Sequence, residues 1–152
     1  MRRGLRATFL LLAFAPLCLR GAAALLARYD RVEVQATWTS IYIGTVSLKI
    51  PPFSRAVAGD YETTYAARVF PYFFYNETGR LSIRVSAEAL RKLSRGEVIE
   101  FSGRAVNQQG AERRVEGKAT PADATGGKLK VRVFVSPKIE LIFNTTYRFP
   151  GG

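Results

Sequence analysis

After residue 30, apolar and polar residues alternate almost one for one, the two-residue period of strands with one buried face. Val32, Val34, Ala36 and Trp38 fall on one side, and Arg31, Glu33, Gln35 and Thr37 on the other. Tyr42, Val46, Leu48 and Ile50 carry the pattern on to Pro51-Pro52, which ends it, and residues 54–60 read as a loop. Residues 61–76 form a long extended stretch, and Asn76-Glu77-Thr78-Gly79 is the expected hairpin turn into Leu81, Ile83 and Val85. One helix interrupts the strands: Ser86 caps it, Glu88 lies in its first turn, Leu90 and Leu93 share a face, and Gly96 stops it. Two turns of helix barely hold alone, so packing on the sheet must stabilise it.

Strand character resumes over 97–106 and 112–119, on either side of a polar turn at 107–111, and 121–127 is a second loop. The clearest element is the C-terminal hairpin. Leu129, Val131, Val133 and Val135 face one way; beyond Ser136-Pro137-Lys138, the set Ile139, Leu141, Phe143, Thr145, Tyr147 and Phe149 continues that face. A three-residue turn centred on Pro137 places Val135 opposite Ile139, Val133 opposite Leu141 and Val131 opposite Phe143, so apolar meets apolar in every pair. About eight strands and one short helix predict an all-β fold, an antiparallel barrel or a two-sheet sandwich. Closure into a barrel has the advantage of leaving no bare edges.

The first residues follow a different pattern. Arg2, Arg3 and Arg6 precede an apolar run over Phe9–Leu19, and Arg20-Gly21-Ala22-Ala23-Ala24 closes it with small residues. This is the three-part form of a secretory signal, and the apolar run is shorter than the ~20 residues of a membrane-spanning helix. Residues 1–24 are therefore expected to be cleaved, leaving 25–152 as a single β-rich domain that is periplasmic or secreted. The whole chain has 23 Lys/Arg against 12 Asp/Glu, a net +11; the leader takes four arginines and no acid, leaving +7. A surface of that sign favours anionic partners.

Composition narrows the chemistry further. The chain has no histidine, and Cys18 is its only cysteine. After residue 24, Ser-His and Cys-His nucleophiles and histidine-bound metals are thus excluded, as is a stapling disulfide. Glu97 and Glu100 fall on opposite strand faces. Glu112 and Glu116 share a face but stand ~13 Å apart by strand rise, too far for a paired acid and base. No catalytic residue, metal site or cofactor is expected.

Binding is better represented. The run Arg68–Tyr75 puts Phe70, Tyr72 and Phe74 on one face and Phe73 and Tyr75 on the other. Aromatics on both faces need two apolar surroundings, and Pro71 cannot donate to a ladder, which marks an edge or a bulge. Trp38, Phe70, Tyr72 and Phe74 are the candidate walls of a ligand pocket. Arg113, Arg114, Lys128, Lys130 and Arg132 cluster late in the chain as a candidate surface for an anionic partner such as a phospholipid headgroup or acidic glycan. Nucleic acid is not expected, because the aromatics do not interleave with this cluster.

The stretches Glu97-Val98-Ile99-Glu100-Phe101-Ser102, Val115-Glu116-Gly117-Lys118-Ala119-Thr120 and the alternating strand Lys128–Val135 resemble the later part of the YceI-like family of small periplasmic proteins. The family's histidine-containing early motifs are absent, and this domain is shorter. The resemblance implies a lipocalin-like antiparallel barrel holding a long apolar chain of polyisoprenoid type. The expected function is accordingly that of an exported, non-catalytic binding protein for an apolar or amphipathic ligand. The alternative is an accessory β-sandwich that docks to another envelope protein through its aromatic edge and basic face.

Overall fold

Strand pairing runs from each long stave of the wall to the next along the chain and then back to the first. A computed structural model of the chain describes residues 26–151; the segment read as a signal lies outside them. The strands are β1 (Arg31–Val34), β2 (Thr37–Ile41), β3 (Gly44–Lys49), β4 (Phe53–Arg55), β5 (Tyr61–Phe70), β6 (Glu77–Arg84), β7 (Ile99–Asn107), β8 (Glu112–Pro121), β9 (Gly126–Ser136) and β10 (Ile139–Arg148), with helix α1 (Ala87–Ser94) between β6 and β7. All pairings are antiparallel. β5–β6 pairing closes the sheet into a ring, and β2, paired with β3, is left as a short end that lies beside β10. β1 with β2, and β3 with β4, are two long strands each broken in the middle, so the wall is a closed antiparallel barrel of eight staves. The expected all-β fold with one short helix is therefore a barrel and not a sandwich.

Pro51-Pro52 explains one of the breaks. Val32 lies opposite Phe53 and Thr37 opposite Leu48, the register an unbroken hairpin would keep. Neither proline has an N–H to give to the ladder between them. On the other side, Lys49 pairs with Ala66 and Ser54 with Glu62, so the strand spends one residue more than β5 over this stretch. That is a bulge, which bends a wall that must curve. Residues 54–60, expected as a loop, thus begin inside β4, and the turn itself is Ala56–Asp60.

The break between β1 and β2 corrects a face assignment. Val32 and Val34 point inward, but beyond Gln35-Ala36 the inward positions are Thr37 and Ile41. The phase slips by one residue, and Trp38 is sent outside, where it is 65% exposed. A second correction concerns the long extended stretch. β5 ends at Phe70; Pro71 follows, Phe73–Tyr75 makes one 3-10 turn, and Glu77–Gly79 is already strand, paired with Tyr65–Ala67. The hairpin turn is therefore Pro71–Asn76, earlier than Asn76–Gly79. The C-terminal hairpin keeps the expected register at Val133–Leu141 and Val131–Phe143; near the turn a shift pairs Ile139 with Ser136 in place of Val135.

Large side chains inside a narrow barrel need bare backbone opposite them. Gly79, Gly103 and Gly117 supply it at inward positions: a Cβ on Gly117 would lie 2.1 Å from the Phe101 ring, and one on Gly79 would lie 2.8 Å from the Tyr65 ring. The lower end of the barrel is filled by Tyr29, Tyr147 and Phe149, whose rings meet edge to face, and by Leu90 and Leu93 of α1. Ser86 Oγ accepts from the Ala89 N–H at 3.1 Å, and Gly96 leaves the helix at φ +79°, as the sequence predicts. Leu90 is 1% exposed, so Leu90→Ala is expected to cost about 2–5 kcal/mol in urea unfolding, and Ser86→Ala about 1 kcal/mol. Equal, small losses would show that α1 is not anchored by its buried face.

Candidate functional site

Alternation inside a closed wall leaves the upper half of the barrel hollow. A cavity of about 780 Å³ opens at the end that carries the β2–β3, β5–β6 and β9–β10 turns. Its sides are mostly aliphatic, with Val46, Val69, Val133 and Leu141 among them. Below it lies a smaller space of about 100 Å³, with apolar walls that include Leu90 and Leu93. Leu48, Ile50, Leu81, Val115, Val131 and Phe143 line both spaces and form the waist between them.

One polar cluster interrupts the apolar wall, just inside the mouth. Glu77 opens β6 and shares the inward phase of Leu81 and Ile83; Arg113, near the start of β8, shares that of Val115. Tyr65 lies opposite Gly79, whose missing side chain leaves room for its ring. Tyr65 Oη donates to Glu77 Oε1, while Asn107 Nδ2 at 3.0 Å and Arg113 Nη2 at 3.2 Å both donate to Oε2. Asn107 is in turn fixed by the β7–β8 turn, where its Oδ1 accepts from the N–H groups of Gln109 and Ala111.

These contacts set the protonation state. Burial on its own would raise the Glu77 carboxyl, but hydrogen bonds from Tyr65 and Asn107 and the Arg113 charge outweigh it and hold the group below its usual range. Burial first, and the Glu77 carboxylate second, push the Tyr65 phenol upward. At the mouth, the Arg132 guanidinium likewise holds Glu140 low. Hydrolytic carboxylate pairs need one member kept protonated as the acid. Glu77, the carboxylate inside the barrel, is held ionised.

The residues singled out from sequence separate in space. Of the four aromatics, Tyr72 stands at the cavity mouth, whereas Trp38, Phe70 and Phe74 are on the outside. Phe70 has the outward phase of β5, opposite to that of Ala67 and Val69, and Phe74 belongs to the 3-10 turn where strand alternation no longer applies. Of the five basic residues, Arg113 leaves the outer surface for the cavity wall. Arg114 lies over the Phe134 ring at 4.0 Å and beside Glu116 at 3.6 Å. Arg132 grips both oxygens of Glu140. Lys128 and Lys130 are exposed and make no ion pair among the described residues, with Lys118 opposite Lys130.

Sequence reading missed Tyr65, Glu77 and Asn107. The signal was available: stepping back by twos from Ile83 and Leu81 reaches Glu77. Reading 76–79 as a turn hid it. Around the mouth, Tyr42, Ile43, Phe70, Phe73, Phe74, Tyr75 and Ile139 form an exposed apolar crown. Among the described residues, no three His, Cys, Asp or Glu side chains gather where they could hold a metal. No family model, curated protein or solved structure matches the chain.

Glu77 is lower in the folded protein than its unfolded value of about 4.3. Its contribution to stability is therefore complete above that value and is lost as pH falls through the folded one. The urea midpoint is expected to drop more steeply below pH 4.5 in the native sequence than in Glu77→Gln; parallel pH profiles would contradict the assignment.

Proposed function

We propose that the protein is an exported, non-catalytic carrier that shelters an apolar or amphipathic, lipid-like ligand inside the barrel. The observation that carries this reading is the open cavity of about 780 Å³, aliphatic on most of its wall. Small-molecule sites fall in the range of roughly 300–1,000 Å³ and combine apolar walls with a few placed polar groups. The leader-like start of the chain supports export, and the resemblance to the YceI-like family points to the same kind of cargo.

A second reading rests on the crown. Seven large apolar side chains exposed around one opening exceed what scattered surface residues explain, and such patches mark contact with another apolar surface. Under this reading the protein docks to an envelope protein, with Lys128 and Lys130 as contacts for an anionic neighbour.

Filling the cavity separates the two. Val133→Trp is expected to weaken binding of a fluorescent apolar probe such as 1-aminoanthracene by about tenfold or more, with cooperative unfolding retained. Native mass spectrometry after gentle purification is expected to show a bound apolar molecule, on a chain whose N-terminus is Leu25. Unchanged probe affinity in Val133→Trp, with a clean unliganded mass, refutes the carrier. Loss of a partner in Phe73→Ser and Tyr75→Ser, with probe affinity intact, supports docking.

A further inference from the structure

Arg113 has more donors than the protein uses. A guanidinium carries five N–H groups, and among the described residues Arg113 makes one hydrogen bond, from Nη2 to Glu77. Its side chain lines the cavity and is 22% exposed, which leaves the remaining N–H groups reachable from the space a ligand would take. Covering them with hydrocarbon alone would strip water from donors and give nothing back. A ligand that fills this part of the cavity therefore needs an acceptor there.

The charge of that acceptor is also constrained. Of the charged residues along the cavity, Glu77 is paired with Arg113 and Glu140 with Arg132 on the outer face, while Lys138 stands at the rim on the β9–β10 turn. The Arg113 charge is already matched by Glu77, 3.2 Å away. An anionic headgroup on Arg113 would have to share it with that ionised carboxylate and meet its repulsion in a half-buried site. A cationic headgroup fares no better, because three donors already occupy both Glu77 oxygens. Depth gives the orientation: the cluster lies just inside the mouth, and the wall beneath it is apolar down to α1.

Resting on the carrier reading, we propose that Arg113 is the headgroup contact of the cavity, and that it takes an uncharged carbonyl or ester oxygen on an apolar chain that enters tail first. Glu77 is then a selectivity residue, whose charge turns away free carboxylates.

Displacement of 1-aminoanthracene by four chain-matched competitors tests this on the purified protein: methyl dodecanoate, dodecanoate, dodecylamine and dodecane. The native sequence is expected to prefer the methyl ester over each of the others by about tenfold, the value of one hydrogen bond to a charged donor. Arg113→Gln is expected to remove the advantage of the ester over dodecane while leaving dodecane unchanged. Glu77→Gln keeps the shape of the cluster and frees the Arg113 charge, so it is expected to invert the order and favour dodecanoate; it also serves if Arg113→Gln fails to fold. Ester preference that survives in Arg113→Gln, or dodecanoate preferred by the native sequence, overturns the proposal while leaving the carrier standing. Absence of any probe binding to the native sequence overturns both.

Discussion

The structure depends on the closing of one sheet upon itself. Once β6 pairs with β5 and β10 with β1, the sheet is a closed ring in which, among the described strands, β2 alone lacks a second ladder partner, and every second residue is committed to a shared interior. No disulfide joins the described residues, since the only cysteine lies outside them, and the one described α-helix of any length is two turns long. An interior walled by eight staves must be filled at one end by aromatic rings and α1, and it stays hollow where the inward residues are valines and alanines. The cavity is thus a result of side-chain size along fixed inward positions, with no loop needed to build it.

Within that wall the polar cluster is well satisfied on one side and open on the other. Glu77 uses both oxygens, Asn107 uses its amide and its carbonyl, and Tyr65 uses its hydroxyl. A buried network of this kind is stable because no member is left without a partner. Arg113 is the exception, and the difference is what turns a structural ion pair into a candidate recognition group.

Much of the fold was legible because the two-residue period is a direct imprint of a half-buried strand. The C-terminal hairpin could be placed to the residue as far as Val133 and Leu141, short of the shift at its turn, and α1 announced its cap, its buried leucines and its terminating glycine. Errors arose where the period itself broke. At Gln35-Ala36 the phase slips, which put Trp38 on the wrong face; past Pro71 the chain turns, which put Phe74 in a pocket it does not reach. Neither slip leaves a mark in the alternation, because each depends on how the neighbouring strand must curve. The polar cluster was illegible for a related reason. Glu77 and Arg113 look like ordinary surface charges, 36 positions apart, until β7 stands between β6 and β8 and brings both onto one wall.

The plug at the bottom of the barrel has a consequence for exchange. With Tyr29, Phe149 and the leucines of α1 packed across that end, the hollow is a well and not a pipe. Under the carrier reading, a cargo backs out along the path by which it arrived, head leading. Its residence time is then governed by how far the tips of three turns, those bearing Ile43, Tyr72 and Lys138, spread apart, and stiffening any of them would slow loading and unloading together while leaving the balance between them untouched.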